Sequence, residues 1–338
     1  MINFLQNQKN SNFLEKFEIL DYINSGSSGI VYDGFYRREP QKKVCFKFLL
    51  NKTSNNNSKN NIKNFHKITE INIQNKIKNR NIIEYYDYID LNNSGCIIME
   101  LAKYGDLECF QRVLNKKRHF SETLLAYLSK QILSGLYYLN QSKIIHMDIK
   151  PQNILIDDKL IIKITDFSVS LTYEGCPENG KIFLPLVGTN LYMSPEVLSK
   201  KAIDYDDCNK IDLFSFGVVL YNLAFEKFPY ELDYSIRKNF RLIFEKIQKE
   251  KLVLPEKRNY SILFRKFLAG LLEKNIKKRT SIYTAMEDPW IKGAELLFQE
   301  KEKINDLEKF LINMITDNIR SFNNYLQNYK SKNNFKCG

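Results

Sequence analysis

The sequences HMDIKPQN, residues 146–153, and ITDF, residues 164–167, decide how this chain is interpreted. Asp148 could accept a proton from a hydroxyl group, and Lys150 lies two residues later, where its ammonium group could neutralise a phosphate. Asn153 and Asp166 carry the oxygen ligands that Mg²⁺ prefers. Phosphoryl transfer needs positioning and charge neutralisation more than covalent chemistry, so these residue types in this order suit that reaction.

The length and composition allow one two-lobed enzyme or two small domains. The chain has 338 residues, of which 43% are hydrophobic and 27% charged, as is typical of a soluble globular protein. No apolar run reaches the roughly 18 residues that a membrane-spanning helix needs. The first ten residues lack the basic start and apolar core of a secretory signal. We therefore expect a cytoplasmic location, and the sequence does not exclude access to the nucleus.

The net charge of +12 can indicate a nucleic-acid, membrane-surface or acidic-protein partner. Lys, Asn and Ile are frequent along the whole chain, however, and neither a long basic block nor a known nucleic-acid-binding motif occurs. We therefore expect a compositional bias and no nucleic-acid partner. The six cysteines are irregularly spaced and include no C-x-x-C pair, so the sequence predicts neither a zinc site nor a disulfide framework.

The hydrophobic pattern divides the chain into a strand-rich front and a helix-rich back. Residues 1–16 are polar and are predicted to be a short extension, and residues 51–61 form a low-complexity polar loop. Strand patterns precede Leu107, with one helix between them, and long helical patterns follow it. The predicted segments are strands within 17–48, a helix at 65–78, strands near 82–89 and 96–101, and helices at 122–140, 212–225 and 261–272. This order predicts an α+β protein in two lobes.

The motif pair resembles the signature of the eukaryotic protein kinases, which is H-R-D-x-x-x-x-N followed by D-F-G. The resemblance covers residues 17–293 and implies a bilobal fold with an N-lobe (17–99), a hinge (100–106) and a C-lobe (107–293). It implies that the chain binds ATP and Mg²⁺ and transfers the γ-phosphate to a protein. In this family Asp148 and Lys150 would act in catalysis, and Asn153 and Asp166 would hold the metal ion.

The resemblance extends to a glycine-rich loop at INSGSSGIVY, residues 23–32. Gly26 and Gly29 match the second and third glycines of the family, and Asn24 replaces the first. Asn tolerates left-handed dihedral angles better than most residues, so this replacement is mild. The positions that would contact the nucleotide are Ile23, Asn24, Ser25, Gly26, Ser27, Ser28, Gly29, Val31, Cys45, Lys47, Met99, Glu100, Ala102, Asp106 and Leu155.

Further family positions fall in register with this loop. Lys47 would anchor the α- and β-phosphates and would form an ion pair with Glu70. Ile23, Val31, Cys45 and Leu155 would enclose the adenine. Cys45 stands where the family normally has Ala, and we expect it to be a small buried hydrophobic residue beside the pocket.

The segment MELAKYGD, residues 99–106, resembles the hinge between the lobes. Met99 would be the gatekeeper, and the backbone of Glu100 and Ala102 would meet the adenine. Asp106 could reach the ribose or cap the following helix, and the two roles are compatible.

Three residues are expected to have structural roles. Asp212 resembles the helix residue that supports the backbone of the catalytic loop. Glu196 and Arg279 resemble a buried ion pair, which would be costly to break.

Three departures from the family pattern concern regulation. Met147 replaces an Arg that normally pairs with a phosphorylated activation loop, and residues 174–188 contain no Ser, Thr or Tyr. These two features suggest that the enzyme does not need activation-loop phosphorylation. Ser168 replaces the Gly of D-F-G and should restrict the backbone there. Gln74 stands where an apolar residue is usual and needs a hydrogen-bond partner if it is buried.

The catalytic loop favours a protein substrate with a Ser or Thr acceptor, because Lys150, Pro151 and Thr189 match the serine/threonine branch. Gln152 stands where kinases that prefer basic substrates often have Glu, so we do not predict strong selectivity for basic substrates. The alternative is a nucleotide-binding pseudokinase that acts as a scaffold or allosteric partner. No catalytic group is missing, which favours the enzyme.

Residues 294–338 show apolar residues at helical spacing. They predict an amphipathic helical C-terminal tail. It could pack on the main domain or dock a partner.

Overall fold

The computed structural model describes residues 11–26, 29–49, 69–91, 95–115, 119–256 and 259–293. Its first half contains a five-stranded antiparallel sheet with the strand order β1-β2-β3-β5-β4. The strands are β1 (Phe17–Ser25), β2 (Ile30–Tyr36), β3 (Glu39–Leu49), β4 (Tyr85–Asp90) and β5 (Gly95–Glu100). Strand β3 is central, and its last six residues are all buried, because both faces of the sheet are covered there. The strand-rich N-lobe predicted from the sequence is confirmed.

Helix α1 (Ser11–Lys16) lies within the stretch predicted to be a polar extension. Its Phe13 is buried and packs against Phe17, Phe46 and Phe48, with ring centroids 5.0–5.9 Å apart. This contact was not predicted, because the apolar residues of this stretch do not recur with the period of a helix or a strand. The proposed domain boundary at residue 17 stays a prediction, but the apolar core of the lobe includes Phe13.

Helix α2 crosses the sheet and is described from residue 69 to residue 74. The predicted helix extended to residue 78, whereas the chain turns after residue 74. Ile73 and Ile77 are buried in the main apolar core, so the apolar periodicity continues into the turn and the sequence pattern overestimates the helix. The first part of the predicted helix lies outside the described residues.

The second half of the chain is mainly helical. Its helices are α3 (Leu107–Asn115), α4 (Glu122–Gln141), α5 (Pro195–Leu198), α6 (Ile211–Phe225), α7 (Phe240–Lys249), α8 (Ile262–Leu271), α9 (Ile282–Met286) and α10 (289–293). Ser121, Ser261 and Ser281 each cap the helix that follows, accepting a hydrogen bond from the backbone N–H three residues later. The three long helices of the C-lobe predicted at 122–140, 212–225 and 261–272 are confirmed to within one residue at each end.

Helix α6 forms the centre of the C-lobe. Every residue of α6 except Asn222 is buried, so the helix is apolar on all sides, as expected for a helix surrounded by protein. Asp212, at its start, is therefore a buried carboxylate whose position is fixed by packing.

Short strands position the loops between α4 and α5. Strand β6 (Ile144–Ile145) pairs with β9 (Leu171–Thr172), and β7 (Ile154–Ile156) pairs with β8 (Ile162–Ile164). The loop from β6 to β7 contains HMDIKPQN, and the loop from β8 to β9 contains the Asp-Phe motif. Because the β6–β9 pair encloses the β7–β8 hairpin in the chain and both pack on the same core, the two motifs meet. Strand β10 (Lys181–Ile182) pairs with β11 (Ile203–Asp204) further along the chain.

In the described part of the chain, no helix has the length and apolar character needed to cross a bilayer. The predictions about the polar loop at 51–61 and the helical tail at 294–338 concern residues outside the described ranges.

Candidate active site

A buried cluster of three charges links the two lobes. The Nζ of Lys47 on β3 lies 2.6 Å from Glu70 Oε1 on α2 and 2.9 Å from Asp166 Oδ1 after β8. The predicted ion pair between Lys47 and Glu70 is therefore formed. The two carboxylates raise the pKa of Lys47 although burial alone would lower it, so the ammonium stays charged inside the protein.

Asp166 is held as a carboxylate next to this cluster. Burial alone would raise the pKa of Asp166, but the Lys47 ammonium and hydrogen bonds from Lys47 and Ser168 hold it well below its usual range. The φ angle of Asp166 is 69°, and its side chain remains 22% exposed. Asp166 thus presents a permanent negative charge at the cleft. The hydrogen bond from Ser168 was not predicted, because only the restricted backbone follows from a serine at this position.

The catalytic loop fixes one oxygen of Asp148. Its Oδ2 lies 2.6 Å from Lys150 Nζ and 3.0 Å from Asn153 Nδ2. Lys150 Nζ also donates to Thr189 Oγ1 at 2.8 Å. This bond connects the loop to the end of the activation segment, which runs from the Asp-Phe motif at Asp166 to Glu196. Oδ1 of Asp148 is buried and has no hydrogen-bond partner among the described residues. One carboxylate oxygen is thus anchored and the other is left for a further contact.

Gly188 closes the other side of this carboxylate. Its φ angle is +102°, and a Cβ atom there would lie 2.4 Å from the carbonyl oxygen of Met147 and 3.4 Å from Asp148 Oδ1. A side chain at this position would clash with the backbone of the catalytic loop. Glycine therefore allows the activation segment to pass directly beside Asp148 Oδ1.

Asp212 supports the backbone of the catalytic loop, as predicted. Its two carboxylate oxygens accept the backbone N–H groups of His146 at 2.7 Å and Met147 at 2.9 Å. The His146 ring packs edge-on against Phe167, with the ring centroids 5.0 Å apart, and its Nε2 donates to the carbonyl of Thr165 at 3.0 Å. These contacts join the loops of β6–β7 and β8–β9 into one rigid unit.

The expected adenine pocket is assembled in an apolar cluster between the sheet and the hinge. The cluster includes the predicted residues Val31, Cys45, Met99, Ala102 and Leu155. Ile23 is the exception, since it lies outside this cluster and is 46% exposed on β1.

Cys45 is almost completely buried in this cluster, and burial raises the pKa of its thiol to about 12. The thiol is therefore neutral at physiological pH. This agrees with the expectation that Cys45 is a small hydrophobic residue.

The glycine-rich loop differs from the expectation at Asn24. Asn24 lies in β1, pairs with Val31 and is not among the residues with positive φ, so its tolerance of left-handed angles is not used. Its Oδ1 accepts the N–H of Ser25 at 2.8 Å. A Cβ atom at Gly29 would lie 2.4 Å from the carbonyl oxygen of Phe48, so glycine is required where the loop approaches β3. Ser27 and Ser28 lie outside the described residues.

The hinge contains an ion pair that the sequence analysis missed. Oε1 of Glu100 lies 2.8 Å from Lys163 Nζ on β8, and both side chains are largely buried. The sequence signal for this ion pair was Lys163 within the apolar run LIIKIT, residues 160–165, because a lysine in a buried strand needs a partner. Asp106 accepts the N–H of Cys109 at 2.8 Å, so it caps α3 as one of its two predicted roles requires.

Gln152 is also paired. Its Nε2 donates to Glu108 Oε1 at 2.9 Å, so a carboxylate from α3 lies beside the amide. The sequence around Gln152 does not indicate this partner, because Glu108 lies 44 positions earlier in the chain.

The activation segment is held by apolar contacts. Met147, Ile182 and Leu184 are all buried and belong to the core that contains Phe167. Strand β10 pairs with β11, and Lys181 forms an ion pair with Asp204. Apolar packing, a short strand pair and an exposed ion pair thus hold this part of the chain.

The oxygen atoms available for Mg²⁺ fit that ion. Among the described residues, no group of three or more His, Cys, Asp or Glu could hold a metal by itself. Mg²⁺ is usually bound by one or two protein oxygens together with substrate phosphates, so the pair Asn153 and Asp166 is sufficient. The remaining ligands would come from the nucleotide.

The family model for the protein kinase domain matches residues 17–291, which is most of the chain. The chain belongs to the protein kinase family. In this family ATP and Mg²⁺ are the usual cofactors, and proteins are the usual substrates.

Curated relatives of this kinase are serine/threonine-protein kinases. The chain is 29% identical to TIO of Arabidopsis thaliana over 290 residues, which cover 86% of this chain and 20% of the relative. It is 28% identical to ULK3 of Mus musculus over 281 residues, 82% of this chain and 55% of that protein. It is 30% identical to CBL-interacting serine/threonine-protein kinase 14 of Arabidopsis thaliana over 294 residues, 86% of this chain and 61% of the relative. The chain therefore spans less than two thirds of each of these relatives.

The kinase domain also contains the predicted structural pair. Arg279 is buried and lies 2.5 Å and 3.1 Å from the two carboxylate oxygens of Glu196. Its guanidinium group also donates to the backbone carbonyls of Lys210, Glu273 and Lys274. A bidentate, fully hydrogen-bonded Arg fixes the end of the activation segment to the C-lobe.

Proposed function

We propose that this chain transfers the γ-phosphate of ATP to Ser and Thr hydroxyl groups of proteins. The observation that carries the proposal is the state of Asp148. Its Oδ2 is anchored by Lys150 and Asn153, whereas its buried Oδ1 lies beside Gly188 without a hydrogen-bond partner among the described residues. A buried carboxylate oxygen is costly to leave unpaired, so its free position indicates a group that arrives with the substrate.

In this mechanism, Asp148 Oδ1 accepts the hydrogen bond of the attacking hydroxyl group and takes its proton. The hydroxyl oxygen forms the new bond to the γ-phosphorus as the bond to the β-phosphate oxygen breaks and ADP leaves. Lys150 holds the other oxygen and places a positive charge beside the reacting groups. Lys47, fixed by Glu70, would position the phosphates, and Asn153 and Asp166 would hold the metal. When bound, ATP would supply the phosphate and Mg²⁺ would neutralise its charge.

The Ser/Thr branch is supported by the contact between the catalytic loop and the activation segment. Lys150 donates to Thr189, and both residues match the pattern of the serine/threonine kinases. The names of the curated relatives point to the same class of acceptor.

We further propose that phosphorylation of the activation loop is not required. Residues 174–188 carry no hydroxyl group that could accept a phosphate, and Met147 has no charge to receive one. Ile182 and Leu184 are already buried in the core, and Lys150 already contacts Thr189. The contacts that a phosphate usually induces are thus made by apolar side chains.

The test compares wild type with Asp148→Asn on degenerate Ser, Thr and Tyr peptides with labelled ATP. We expect Ser/Thr incorporation by wild type and a loss of about 10²–10⁴-fold in Asp148→Asn. Asp158→Asn, an exposed turn residue, is the matched control and should behave as wild type. Equal incorporation by wild type and Asp148→Asn would reject the proposal. Nucleotide binding without any incorporation would favour the pseudokinase alternative.

Partner docking through residues 294–338 stays a prediction.

A further inference from the structure

Gln74 at the end of α2 is a buried polar residue without a polar contact. The side chain is 2% exposed, and neither Nε2 nor Oε1 has a hydrogen-bond partner among the described residues. Almost all buried side-chain amides in proteins are hydrogen-bonded, so this one requires an explanation.

Gln131 on α4 shows how the same side chain is accommodated elsewhere in the chain. Its Oε1 accepts the N–H of Ile162 at 3.0 Å and the Nδ2 of Asn81 at 3.3 Å, and its Nε2 approaches the carbonyl of Leu160 at 3.4 Å. Gln131 therefore stabilises the contact between the lobes, whereas burial of Gln74 loses hydration without a compensating bond.

The position of Gln74 couples this cost to the catalytic lysine. Glu70 and Gln74 are four residues apart on α2, so both side chains lie on the same face of the helix. Glu70 forms the ion pair with Lys47, and the neighbouring Ile73 is buried in the core that includes Phe167. The position of α2 that forms the Lys47–Glu70 pair is therefore also the one that buries the Gln74 amide.

We propose that Gln74 is a positioning residue that acts through Glu70 and weakens the catalytic position of α2. In the free protein, a displacement of α2 would hydrate the amide and break the ion pair together. Nucleotide phosphates on Lys47 favour the paired position, so part of the binding free energy is used to bury the amide. The apparent affinity for nucleotide is reduced by the fraction of protein in which α2 is displaced. This inference rests on the proposed function of Lys47.

The experiment replaces the side-chain amide by an apolar group of similar size at Gln74 and, as the matched control, at Gln131. Gln74→Leu and Gln74→Met should raise the melting temperature by about 2–4 °C. They should also tighten binding of a non-hydrolysable ATP analogue with Mg²⁺ by about threefold to tenfold. Gln131→Leu should lower the melting temperature, because it leaves the Ile162 N–H and the Leu160 carbonyl unpaired.

A second arm tests whether Gln74 acts through Glu70. In a Glu70→Ala background, Gln74→Leu should no longer tighten binding of the analogue, since there is no ion pair to favour. A melting temperature that is unchanged or lower in both Gln74 variants would overturn the proposal. A higher melting temperature with unchanged analogue affinity would show a merely structural role and would also overturn it. Both readouts are independent of phosphate transfer, so they remain informative if the proposed catalytic function fails.

Discussion

The nucleotide site and the activation segment are stabilised by different physical interactions. At the nucleotide site, Lys47 is buried between Glu70 and Asp166. Around β10 in the activation segment, Ile182 and Leu184 are buried among apolar residues, and the ion pair on this strand is exposed. The buried pair Glu196–Arg279 lies at the end of the segment. Charges are thus concentrated where phosphate must be positioned, and the region that is often switched by phosphate is held by the hydrophobic effect. Under the proposed function, this difference is the physical basis for activity without phosphorylation of the activation loop.

Removing the buried charge of Lys47 should have the largest effect on stability and on phosphate transfer. Lys47→Ala leaves the carboxylates of Glu70 and Asp166 facing each other inside the protein, so we expect a loss of about 3–5 kcal/mol in the free energy of unfolding. Phosphate transfer should fall to near background. Denaturant unfolding and peptide phosphorylation measure the two effects.

The matched control for this substitution lies in the activation segment. Lys181→Ala removes an ion pair with Asp204 in which the lysine side chain is 60% exposed. We expect little or no loss in the free energy of unfolding, because water screens an exposed ion pair. A comparable loss in both variants would contradict the assignment of buried charge to the nucleotide site and apolar packing to the activation segment.

Introducing the family's usual arginine should have the second-largest effect. Met147 is 5% exposed and lies in the apolar core. Met147→Arg buries a charge for which residues 174–188 offer no phosphate acceptor, so we expect a loss of about 3 kcal/mol or more in unfolding free energy. Met147→Leu preserves the volume and should cost less than about 1.5 kcal/mol. An arginine variant as stable as wild type would show that the site is not apolar in the working protein.

Ser168 should give the smallest effect. Its hydroxyl group donates to the Asp166 carboxylate, and its side chain restricts the backbone. Ser168→Gly should remove about 1 kcal/mol of stabilisation from the active arrangement and lower phosphate transfer several-fold. It should also tighten binding of inhibitors that need the flipped Asp-Phe motif. Ser168→Ala separates the two causes, because it removes only the hydroxyl group. Unchanged inhibitor affinity in Ser168→Gly would refute the restriction.

Short motifs with charged residues were the most predictable part of the molecule. The resemblance to the protein kinases, carried by these motifs, implied the ion pair between Lys47 and Glu70, and the structure contains it. Likewise, the apolar patterns of α4, α6 and α8 gave their boundaries closely. In these cases the local sequence and the tertiary contacts agree.

The features that were missed depend on contacts between distant segments. Phe13 gave no periodic signal, and the pairs Lys163–Glu100 and Gln152–Glu108 join residues that are 63 and 44 positions apart. Asn24 adopts strand geometry because of its pairing with β2, which overrides its intrinsic preference. The missing partners of the Gln74 amide also became evident only from the packing of α2.

The most direct test of the account measures phosphate transfer before and after complete dephosphorylation of the protein. The initial rate of Ser/Thr peptide phosphorylation is compared for untreated wild type, phosphatase-treated wild type and Asp148→Asn. We expect equal rates for the two wild-type samples and a rate lower by about 10²–10⁴-fold for Asp148→Asn. A treated sample that loses nearly all activity would contradict apolar stabilisation of the activation segment. An Asp148→Asn rate equal to wild type would contradict the catalytic assignment.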